Sequence, residues 1–66
     1  MENKERLLDA LLYYNIEILE TNANKIKIGR GYSIEIEHNG LLKLFSDGQV
    51  VAPFDDLDEL CRFVLL

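Results

Sequence analysis

The chain is poor in the residues from which most catalytic and metal sites are assembled: its 66 residues include one cysteine, one histidine and one proline. With Cys61 alone, no disulfide can close within the chain. A domain this small is therefore expected to depend on packing or self-association, in a reducing compartment such as the cytoplasm. His38 and Cys61 are too few for a metal-ligand set, and as a nucleophile and base they would have to bridge a loop tip and a buried helix stripe. The serines, Ser33 and Ser46, stand in no nucleophile-elbow context. An enzyme is not expected, and neither is a cofactor, a metal ion or a small-molecule substrate.

Long apolar runs are missing too. The N-terminal Met-Glu-Asn-Lys-Glu-Arg leads into a short leucine-rich stretch that Asp9 interrupts, which is not the pattern of a secretory leader. Nothing approaches the roughly 20 apolar residues of a bilayer span. A basic excess is also absent: 7 Lys+Arg stand against 12 Asp+Glu, for a net charge of −5. That sign suits neither anionic lipid nor the counterion-releasing contacts with phosphate that drive sequence-independent nucleic-acid binding. The charge is also uneven, with 2 basic and 5 acidic groups over 1–20, 4 and 3 over 21–54, and 1 and 4 over 55–66.

What is present is patterned apolar sequence, 48% of the chain, enough for one ordered domain spanning residues 1–66. A chain of this size buries only about 60% of its unfolded surface, so the core is small. Leu7, Leu8, Leu11, Leu12 and Tyr14 recur at helical spacing and predict a helix over 3–14, with Asn3 as its cap, Glu5 in its first turn and Asn15 as a left-handed stop. From Ile16 the period becomes two, predicting strands over 16–20, 25–28, 32–37, 42–45 and 49–52. Their connections are too short for parallel crossovers, so an antiparallel meander follows.

Register follows from keeping the apolar residues on one face. A three-residue loop His38-Asn39-Gly40 sets Ile36 opposite Leu42 and Ile34 opposite Leu44, with Gly40 at the positive-φ position of a bulged turn. Ser46-Asp47-Gly48 is read the same way, facing Leu44 to Val50 and Leu42 to Ala52. Ile26 is paired with Ile34, and Ile18 with Ile26. The inner face is then Ile16, Ile18, Ile26, Ile28, Ile34, Ile36, Leu42, Leu44, Val50 and Ala52. Pro53 is expected to end the last strand. Asp55 or Asp56 opens a second helix, with Glu59 at capping-box spacing from Asp56 and Leu57, Leu60, Cys61, Val64 and Leu65 as the apolar stripe. One sheet face and two apolar helix stripes give an α+β fold: two layers, a five-stranded antiparallel meander with the N- and C-terminal helices packed on one face.

The outward positions divide in two. On the first three strands Lys25 faces Glu35 and Lys27 faces Glu17, an ordinary solvated surface. On the last two, Leu41, Phe45 and Val51 gather beside Lys43 and read as a protein-interaction patch, unless 63–66 fold over it. The expected function is a non-catalytic interaction or regulatory module, with a protein partner or a homodimer formed through this face or through the edge of the last strand.

Asp55, Asp56, Asp58 and Glu59 form the densest charge cluster, explained by helix capping or, with Glu2, Glu5 and Asp9, by an acidic inhibitor surface for a basic nucleic-acid-binding protein. Their spacing is not that of a calcium loop. Gly29-Arg30-Gly31 reads as a turn rather than a phosphate loop. Lys25, Lys27, Arg30 and Tyr32, with Lys43 and Phe45, offer a weak single-stranded nucleic-acid face that the interleaved Glu17, Glu35 and Glu37 oppose.

Overall fold

The structure, a computed structural model, describes residues 3–66 and, for Asn3, the backbone alone. The expected Asn3 cap and the share of Glu2 in an acidic surface lie outside the described residues. The elements run α1 (Asn3–Tyr13), β1 (Ile18–Thr21), β2 (Lys25–Ile28), β3 (Tyr32–Ile36), β4 (Leu42–Ser46), β5 (Gln49–Phe54) and α2 (Leu57–Leu65). The five strands form one antiparallel sheet in the order β1-β2-β3-β4-β5, and α1 and α2 pack together on its inner face.

Helix α1 ends as its sequence requires. Asn15 takes φ 60°, its N–H donates to the Leu12 carbonyl, and the Ile16 N–H reaches back to Leu11. Those paired bonds satisfy carbonyls that a helix C-terminus otherwise leaves open, and they turn Ile16 into the core. Helix α2 starts at the Asp56 cap, whose carboxylate accepts from the Asp58 and Glu59 N–H groups at 2.8 and 3.4 Å. Its stripe contributes Leu60, Cys61 and Val64 to a core that includes Leu7, Leu11, Ile26, Ile28, Ile34, Leu42 and Leu44. Leu65 is exposed instead; Phe63 takes its place, its ring 5.6 Å from Phe54 and 6.4 Å from Tyr32.

The three central strands keep the expected register. Ile26 faces Ile34, Ile34 faces Leu44 and Ile36 faces Leu42, with Gly40 at φ 86° in the His38-Asn39-Gly40 loop.

Both outer pairings differ from expectation, each through a tighter turn than expected combined with a β-bulge. On β5, Asp47 (φ 55°) and Gly48 (φ 78°) form a two-residue hairpin turn in place of the three-residue loop, setting Ser46 opposite Gln49 and Phe45 opposite Val50. This is the geometry that an Asp-Gly pair favours between twisted strands. The register then shifts by one, so that Leu44 faces Ala52 and Leu42 faces Phe54. Val50, expected inside, lies on the outer face with Phe45 and is 54% exposed. Pro53 does not end the strand; it sits within β5 opposite Lys43, tolerated because on an edge strand its missing N–H can face away from the ladder. On β1, the turn closed by the Asn22 N–H to the Lys25 carbonyl sets Thr21 opposite Ile26 and Glu20 rather than Glu17 opposite Lys27, and the shift between Ile18 and Glu20 then leaves Ile18 opposite Ile28 rather than Ile26. Ile16 precedes the strand, although it is buried.

Candidate functional site

Because both helices cover the inner face, the outer face of the sheet carries no helix. Two rows of side chains cross it. Lys25, Glu35, Lys43 and Pro53 form one row, and Glu20, Lys27, Ser33, Phe45 and Val50 form the next. The first row alternates in charge, and Lys43 also pairs with Glu37 at 3.7 Å. Such exposed pairs contribute about 0–1 kcal/mol each and leave the face hydrated.

The second row is where the face becomes apolar. At the bulge, Val50 and Val51 together oppose the single residue Phe45, and they are 54% and 42% exposed. Phe45 is half-buried, with the Lys25 ammonium 5.3 Å from its ring centroid. Leu41 is half-buried at the loop leading into β4. The C-terminal residues do not fold over this patch: Phe63 packs against Phe54 and Tyr32, Val64 is in the core and Leu66 is 93% exposed. Of the sequence-derived set, Phe45 and Val51 meet at the bulge together with Val50, whereas Lys43 lies in the neighbouring row and Leu41 at the far end of the strand, beside Glu37 and Asn39. No periodicity argument assigns Val50 there, since Val50-Val51-Ala52 is apolar throughout.

The edges of the sheet are guarded. The β5 edge contains Pro53, which offers no donor to an added strand, and the β1 edge carries its own bulge together with Glu17 and Glu20.

The acidic cluster is partly committed to the fold. Asp56 caps α2, and Asp58 accepts a hydrogen bond from the Tyr14 hydroxyl at 3.0 Å, tying the end of α1 to the start of α2. The same bond raises the Tyr14 pKa, since it favours the protonated phenol. Asp55 and Glu59 are exposed. Beside them a hollow of about 370 Å³ is lined by Arg6, Ala10, Gly40, Leu42, Leu57 and the three aspartates 55, 56 and 58. Arg6, Ala10 and Tyr14 are spaced for one face of α1, but their counterparts across the fold lie more than forty positions away and carry no local signal.

The remaining candidates separate. Lys25 and Lys27 lie on the outer rows, whereas Tyr32 pairs with Ser46 and packs against Phe63, and the Arg30 guanidinium donates to the Val64 carbonyl at 3.4 Å. The proposed single-strand face is therefore divided between two sides of the sheet. Arg30 itself sits at φ 68° in a short 3-10 turn over Gly29–Gly31. His38 is exposed at a hairpin tip, while Cys61 is fully buried and its thiol is pushed up to about 11, chiefly by that burial. A protonated thiol in the core is not a poised nucleophile. Among the described residues, no group of three or more His, Cys, Asp or Glu side chains could hold a metal ion, and no helix is long and apolar enough to cross a membrane.

No protein family, curated protein or solved structure matches this chain.

Proposed function

We propose that the chain is a non-catalytic protein-interaction module that binds through the outer sheet face around Phe45, Val50 and Val51, with Lys43 at its margin. The supporting observation is the bulge of β5, which presents two exposed valines opposite one aromatic ring on the side that neither helix covers. A contiguous apolar group with a charged surround is the composition of a docking patch, whereas scattered exposed apolar residues carry no such meaning. The acidic reading is less well supported, because Asp56 and Asp58 are already engaged in the cap and in the contact between helices.

The test is capture of partners from host lysate by the tagged chain and by Phe45→Ser, side by side at low and high salt. Loss of the partner in Phe45→Ser, with retention at about 0.5 M salt, supports the apolar face, since screening at that strength leaves apolar contacts intact. Retention by the variant together with loss in salt transfers the function to Asp55 and Glu59.

A further inference from the structure

We infer that the occupant of this face is a second copy of the chain, packed sheet against sheet about a two-fold axis; the inference rests on the reading of the face as an interaction surface given above. Charge distribution selects this partner. Residues 55–66, which supply α2, sum to −3, α1 balances Lys4 and Arg6 against Glu5 and Asp9, and the outer sheet face balances Lys25, Lys27 and Lys43 against Glu20, Glu35 and Glu37. Two copies of an acidic chain repel when their helix layers approach. They meet without net repulsion only through the sheet, which turns the acidic layers to opposite ends of the pair.

The face is also complementary to itself. Lys25, Glu35 and Lys43 alternate along one row, with Glu37 beside Lys43, so a two-fold operation can bring cations of one copy against carboxylates of the other around an apolar centre of Phe45, Val50 and Val51. A strongly basic partner would instead be drawn to the helix layer. Sheets packed this way lie about 10 Å apart with interdigitated side chains, which requires an uncovered face and no edge pairing. Pro53 and the bulge of β1 disfavour the edge route.

Sedimentation equilibrium and light scattering on the full chain, from micromolar to about 1 mM, test this with four proteins. The wild type is expected to reach twice the chain mass. Ser33→Lys, on the outer face of the central strand, and Val50→Lys are each expected to weaken the dimer by at least about tenfold. Leu12→Lys, on an exposed position of α1, should leave it unchanged. Circular dichroism checks each fold, and Lys27→Glu, on the same outer row, replaces Ser33→Lys if that variant is unfolded.

A dimer lost in Val50→Lys but kept in Ser33→Lys means edge pairing and overturns the inference, as does a dimer disrupted by Leu12→Lys. A wild type still monomeric at the highest concentration also overturns it. That result leaves the interaction-module reading standing or falling on Phe45→Ser capture alone.

Discussion

The bulge in β5 can be tested by energetics, because it exchanges the roles of two side chains. Val50 is 54% exposed. Full burial of a valine is worth about 1.5 kcal/mol at the lower end of the range, so Val50→Ser removes about half of that, roughly 0.7 kcal/mol. Phe54 is half-buried opposite Leu42, with its ring 5.6 Å from Phe63. Truncating a buried phenylalanine costs about 3–5 kcal/mol and an aromatic pair adds about 0.5–1.5 kcal/mol, so Phe54→Ala at half burial costs on the order of 2–3 kcal/mol. A chain of this length has a total stability of roughly 3–10 kcal/mol, and each kcal/mol moves Tm by about 4–8 °C.

Val50→Ser is therefore expected to lower Tm by no more than about 5 °C and Phe54→Ala by about 10 °C or more. Thermal melts give the Tm shifts and urea unfolding with an unchanged m-value gives the free energies, both at a concentration where sedimentation finds the monomer. In the unbulged register Val50 would face Leu44 inside the core and Phe54 would lie beyond the strand, and the ranking would invert. A larger loss from Val50→Ser than from Phe54→Ala refutes the bulged pairing, and with it the exposed valine pair on which the interaction surface depends.

Two further expectations follow from the helix layer. Below about pH 8 the Cys61 thiol is protonated in both folded and unfolded chains and adds almost no pH dependence. As pH rises from 9.0 toward about 11, the unfolded chain releases the proton and the folded chain holds it, so stability falls by up to about 2–3 kcal/mol. Cys61→Ala should start from lower stability but lose less across that window, and an equal alkaline slope in both proteins would exclude this assignment. Asp56→Ala should cost about 1 kcal/mol through loss of the α2 cap, with Asp56→Ser largely restoring it; thermal melts in which Asp55→Ala costs as much would place the cap elsewhere.

The sequence reads well where polar and apolar residues alternate without interruption. Lys25-Ile26-Lys27-Ile28 and Tyr32-Ser33-Ile34-Glu35-Ile36 allow one face inward only, and the register of β2, β3 and β4 follows from them. Asn15 and Asp56 were legible because their side chains act within a few residues of their own backbone. The outer strands were not legible at Ile18-Leu19 and Val50-Val51-Ala52. Consecutive apolar residues there have no preferred side, so a bulge of one residue leaves no trace in the period. The three-residue loop at Ser46 preserved an apolar inner face on paper, while the Asp47-Gly48 turn with a bulge preserves it equally well and also suits the strand twist. Of the candidate patch, Leu41, Lys43, Phe45 and Val51 were visible from strand parity, whereas Val50 required the hairpin geometry. The contact between Tyr14 and Asp58 depends on the packing of the two ends of the chain and could not have been read from either segment.

Pro53 has one more effect, on the number of molecules that can join. A sheet with two receptive edges adds neighbours without limit, and each addition regenerates the edge just used. Here the β5 edge lacks a donor at Pro53 and the β1 edge is bulged and acidic, so if association runs through the proposed face, each chain offers one such site. Once that face is covered, none is left to recruit another molecule, and assembly through it ends after a single step.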